Sequence, residues 1–134
     1  MTSRIEKLKR IERLQKRLHD LSVWKLTHLA EERDKLTVAH AQMIQALGEG
    51  LLSFGGAASA ATRRIRSIEI EMSAAEAAHA AQAKRALENG ARSKLAERVV
   101  ERAEEDGRRE MEKKTLAELI EWSLQASISG SRKP

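Results

Sequence analysis

The residues of this chain that could do chemistry are four histidines, a run of carboxylates and a glycine-rich stretch. His19, His28, His40 and His79 form no i,i+4 pair, have no cysteine partner and have no carboxylates at ligand spacing. Metal coordination needs three or four donors converging on one point, and this spacing supplies none. The stretch Gly48-Glu49-Gly50-Leu51-Leu52-Ser53-Phe54-Gly55-Gly56 has the glycine density of a phosphate-cradling loop. Ala57-Ala58 stand where such a loop needs Lys followed by Ser or Thr, so nucleotide binding is not expected there.

Glu104, Glu105, Asp106 and Glu110 alternate with Arg108, Arg109, Lys113 and Lys114. Glu104–Arg108, Glu105–Arg109 and Glu110–Lys114 fall four residues apart, the spacing at which opposite charges support an exposed helix by roughly 0.2–0.5 kcal/mol per pair. They read as a solvated helical surface. With no nucleophile elbow, no Ser-His-Asp set and no pocket expected between two helices, the reading is a non-enzyme with no cofactor, no metal and no small-molecule substrate.

The elements that would carry these residues are helices. The chain has 134 residues, 34% charged and 2% aromatic, which suits long solvated helices better than a globular core. Its one proline is the last residue, so no proline interrupts a helix before it. Leu26, Leu29, Leu36, Met43 and Leu47 recur in steps of three and four, with Arg33 and His40 in the remaining slots of that stripe. Ile11, Leu14, Leu18 and Leu21 step in the same way upstream, one place out of phase, which implies a stutter through Leu18, Ser22 and Leu26. Ile65, Ile68, Met72 and Ala75 resume the pattern after the glycines. So narrow a seam needs another helix to cover it.

The expected fold is all-α, with two long helices in an antiparallel coiled-coil hairpin, the second longer than the first. The expected boundaries are a helix over 3–47, a turn over 48–56, a helix over 57–127 and a tail over 128–134. Ser3 and Glu6 have the spacing of a capping box. Leu51, Leu52 and Phe54 are expected to fold over the tip. Asn89-Gly90 and Gly107 are weak points of the second helix, where a kink or a frayed turn would be no surprise. A turn centred near residue 52 pairs residues whose numbers sum to about 104–106. Leu36 then meets Ile68, Leu29 meets Ala75, His40 meets Ile65, and the alanines from Ala74 to Ala86 face Leu18–Leu29.

On that register, residues beyond about 102 have no partner on the first helix. Met111, Leu116, Leu119, Ile120, Trp122, Leu124 and Ile128 then form an uncovered amphipathic stripe. Such a stripe is a partner-binding face, a homodimer seam, or a short third helix folded back at Gly107.

Charge is uneven. Residues 1–19 hold seven Lys or Arg against two Glu, whereas residues 99–134 hold seven basic against eight acidic groups. A basic start attracts nucleic acid, an anionic membrane surface or an acidic protein groove, or is simply the solvated side of a helix. The chain has no aromatic interleaving and no recognition helix, so nucleic acid is the less favoured partner. The charge-free, Ala/Gly/Ser-rich run that includes Leu51 to Thr62 is too short to cross a bilayer, so no membrane insertion is expected. With no cysteine and no signal-peptide core, the expectation is a soluble cytoplasmic protein.

Two stretches carry a family resemblance. They are Arg4-Ile5-Glu6-Lys7-Leu8-Lys9-Arg10-Ile11 and Arg108-Arg109-Glu110-Met111-Glu112-Lys113-Lys114-Thr115-Leu116-Ala117-Glu118-Leu119. Together with the hairpin plan, the chain resembles the flagellar export stalk proteins (FliJ-like) and their type III secretion coiled-coil counterparts. The resemblance implies a cytoplasmic component of the export apparatus, held at the inner face of the membrane through a protein complex. Such a hairpin enters the ring of the export ATPase, touches the export gate and escorts substrate chaperones. The resemblance implies ring-facing ends near Ile5, Leu8, Arg10 and Ile11, and from Met111 through Leu116, Leu119, Ile120, Trp122 and Leu124 to Ile128. The alternative is a basic coiled-coil scaffold or dimeric adaptor, with nucleic acid as one associate.

Overall fold

The structure, a computed structural model, describes residues 2–50 and 56–131. Two helices make it up: α1, Thr2–Gly48, and α2, Ala57–Ser131. They pair as an antiparallel coiled-coil hairpin in which α2 is the longer, as the apolar periodicity implies. Three expected features change. The first helix already includes Ser3, which is therefore not its N-cap, and α2 continues through residues 128–131 instead of fraying into a tail. No break occurs at Asn89-Gly90 or Gly107. A lone glycine in a helix costs only about 1 kcal/mol relative to alanine, too little to break a long helix anchored on both sides. Leu51, Leu52 and Phe54, expected over the tip, lie outside the described residues.

The seam differs from the expected one. On α1 the shielded positions are Ile5, Leu8, Glu12, Gln15, His19, Ser22, Leu26, Leu29, Arg33, Leu36, His40 and Met43, an unbroken alternation of three and four. There is no stutter. Ile11, Leu14, Leu18 and Leu21 are instead 40–56% exposed, on a neighbouring face. On α2 the matching positions run Ala58, Ala61, Ile65, Ile68, Met72, Ala75, His79, Gln82, Ala86, Asn89, Ser93, Ala96, Val100, Ala103 and Gly107. A constant heptad phase keeps each helix facing its partner without local unwinding, and polar groups are tolerated in the seam as the cost of that continuity.

Contacts divide the chain into two compact units. In the first, residues 15–92, Leu26, Leu29, Leu36 and Met43 of α1 share the seam with Ile65, Ile68, Met72 and four alanines of α2, so large side chains fill the space that small ones leave. Ile68, 1% exposed, is its best-buried side chain. Here His40 meets Glu69, His19 meets Gly90 and Ser22 meets Asn89, pairs whose numbers sum to 109–111. The expected register of 104–106, and with it the pairing of His40 with Ile65, is therefore corrected by most of a heptad. Periodicity says which face of each helix is covered but not which residues stand opposite one another, so it leaves the register open.

The other unit comprises residues 1–14 and 93–134. Ile5 and Leu8 of α1 are half-buried there, and Val100 and Ser93 of α2 are buried. Ile5 Cδ1 comes within 3.8 Å of where a side chain at Gly107 would begin. Beyond Gly107, α2 goes on for 24 residues (108–131) as uninterrupted helix, so it does not fold back as a third helix.

Candidate interaction surfaces

Two arrangements stand out, one at the seam of residues 15–92 and one at the end of α2. The seam cluster centres on Ser22, which is 6% exposed. Its Oγ donates to the Leu18 carbonyl at 2.9 Å and accepts from Asn89 Nδ2 at 2.5 Å. Gln82 Nε2 donates to the Ser22 carbonyl at 3.1 Å. Buried polar groups in a coiled-coil seam weaken it but fix register, because sliding the helices would leave the donors unmet. Gln15 Oε1 is buried with no hydrogen-bond partner among the described residues.

The histidines do not converge. His28 stacks on Trp24 at 5.6 Å between ring centres and lies 3.3 Å from Glu32. His40 lies 3.1 Å from Glu69, and His19 packs on Gly90. Among the described residues, no three His, Cys, Asp or Glu side chains are grouped to hold a metal ion. No helix of the described residues is long and apolar enough to cross a membrane. Of the carboxylate–cation pairs expected near residue 106, Glu105–Arg109 forms at 2.9 Å, and Glu104 reaches across to Lys9 of α1 at 3.2 Å.

The sequence-expected interaction residues separate into two groups. Ile5 and Leu8 are half-buried in the hairpin seam, while Arg10 and Ile11 are exposed. Met111, Leu116, Leu119, Ile120, Trp122, Leu124 and Ile128 are all exposed, by 53–69%. Leu116, Ile120, Leu124 and Ile128 form a row of four-residue steps, the ridge that packs against another helix at about −50°. A shallow apolar depression lined by Met111, Thr115, Leu116 and Leu119 begins this surface. Ile11 belongs to a further exposed set whose other members were missed by sequence reasoning: Leu14 of α1 with Leu95 and Val99 of α2. Carrying the Leu26–Met43 heptad phase backwards to Ile5 would have found its α1 half.

Compared with known proteins, the chain matches no family model, no curated protein and no solved structure.

Proposed function

We propose that the chain is a non-enzymatic coiled-coil component of the bacterial flagellar or type III protein export apparatus. In this reading it works in the cytoplasm, binding the export ATPase ring and the export gate as a stalk or chaperone escort. The supporting observation is the end of α2, where six large apolar side chains, Met111, Leu116, Leu119, Ile120, Trp122 and Leu124, are each more than half exposed. So much apolar surface on one uncovered helix is the mark of a docking element. The two stretches that carry the family resemblance, residues 4–11 and 108–119, both fall in the unit that holds this uncovered end.

The test is to truncate the chain after Gly107 and measure binding to a purified export ATPase. Binding should be lost while the remaining hairpin stays helical by circular dichroism. A truncated chain that binds as well as the full one contradicts the proposal.

A dimeric adaptor is the second reading, and the Leu116–Ile120–Leu124–Ile128 row favours it, because an identical ridge on a second copy would interdigitate with it. Light scattering on the full and truncated chains separates the two: a dimer that dissociates on truncation, with no ATPase binding, supports the adaptor.

A further inference from the structure

The helix pair formed by residues 2–14 and 93–107 has two chemically different flanks. Lys9 of α1 and Glu104 of α2 form an ion pair at 3.2 Å and so mark one flank, and Glu97, seven residues before Glu104, shares it. A groove on this side carries four carboxylates, Glu12, Glu97, Glu101 and Glu104, against two cations, Lys9 and Arg13, so this flank is net acidic. Two residues along a helix is a rotation of about 200°. Ile11, two past Lys9, and Val99, two past Glu97, therefore share the opposite flank. Leu14 and Leu95 extend it by one turn each, and the four side chains are 49%, 42%, 56% and 62% exposed for Ile11, Val99, Leu14 and Leu95.

The charged groups on this second flank are mostly basic. Arg4 and Lys7 lie on the same face of α1 as Ile11, and Arg102 lies one turn beyond Val99. Asp106 and Glu110 are the acidic groups there and line a groove with Arg4. Arg10, exposed, borders the row on its outer side.

We infer that this flank docks on an anionic lipid surface, its aliphatic row entering the headgroup boundary while Arg4, Lys7, Arg10 and Arg102 meet lipid phosphates. The charge balance argues against a second copy, which would bring the same basic face against itself. Phosphate contacts alone would serve nucleic acid, but four exposed aliphatic side chains gain nothing on a nucleic-acid backbone and do gain on entering lipid. The inference is independent of the export reading, since it uses none of residues 108–131.

The experiment is flotation of the full chain with vesicles of phosphatidylglycerol and phosphatidylcholine, with phosphatidylcholine alone, and in competition with duplex DNA. The chain should float with the anionic vesicles and not with the neutral ones. Ile11→Ser with Leu14→Ser should weaken that binding at least tenfold while helicity is unchanged, and Arg4→Gln with Lys7→Gln should weaken it and flatten its salt dependence. Three results overturn the inference: no flotation with anionic vesicles at low salt, binding that ignores the Ile11 and Leu14 substitutions, or DNA that displaces the vesicles and binds the serine variant as well as the parent. A dimer in solution that the same serine substitutions dissociate also overturns it, because the face is then occupied by a second copy.

Discussion

His19 leaves no free space beside Gly90: a side chain begun at that glycine would stand 3.0 Å from His19 Nε2 and 3.2 Å from His19 Cδ2. At Gly107 the nearest side-chain atom, Ile5 Cδ1, is 3.8 Å away, an ordinary contact. The two helical glycines should therefore respond differently to the same change. Gly107→Ala should stabilise the hairpin by about 1 kcal/mol through helix propensity alone. Gly90→Ala should gain much less, and should regain the difference in a His19→Ala background. Urea unfolding of the four variants measures this, and equal gains at both glycines would contradict the packing of His19 on α2.

The course of the seam can be tested by substitution. Ile68→Ala, at the best-buried side chain, should cost about 2–5 kcal/mol. Leu14→Ala should cost less than about 1 kcal/mol, because Leu14 is 56% exposed. A large loss at Leu14 in thermal melts would restore the stuttered seam and remove the unbroken one.

Gln15 offers the opposite sign. Its buried Oε1 has no hydrogen-bond partner among the described residues, and such a group costs about 1–3 kcal/mol. Gln15→Leu should raise stability by about 1 kcal/mol, read as a higher unfolding midpoint without a change in slope.

Ser22 should behave as the hub of its cluster. Ser22→Ala removes the acceptor for Asn89 and should cost about 1–2 kcal/mol. Asn89→Ala should then cost less in the Ser22→Ala background than alone, since its contact is already gone. Additive losses in the double-mutant cycle would mean that the two side chains do not interact.

These substitutions also mark how far the fold was legible in the residues. Between Leu26 and Met43 the leucines and the methionine coincide with the seam, and the hairpin follows directly from their spacing. Upstream the coincidence fails. Ile11, Leu14, Leu18 and Leu21 each immediately precede a seam residue, namely Glu12, Gln15, His19 and Ser22, so a count of apolar residues selects the wrong face by one position. The phase continuity of a coiled coil outweighs the local gain from burying those four side chains. The register was hidden for a different reason: the alanines of α2 look alike at every heptad, and the contacts that fix it, Asn89 to Ser22 and His40 to Glu69, are polar. The exposed stripe from Met111 to Leu124 was legible in the spacing of Leu116, Ile120 and Leu124.

Replacing Leu116, Ile120 and Leu124 together by Ser should leave the melting of the hairpin within about 0.5 kcal/mol, since all three are more than half exposed. The same variant should lose partner binding. A variant that melts much earlier would show that these side chains are covered within the chain or by a second copy.

Hydrogen exchange of the chain, alone and with a purified export ATPase, tests the central claim most directly. In the free chain the amides of residues 108–131 should exchange far faster than those of residues 58–103, and addition of the ATPase should slow the first set alone. Equal protection of both sets in the free chain, or fast exchange at residues 108–131 that the ATPase leaves unchanged, would contradict an uncovered helix end that docks on that partner.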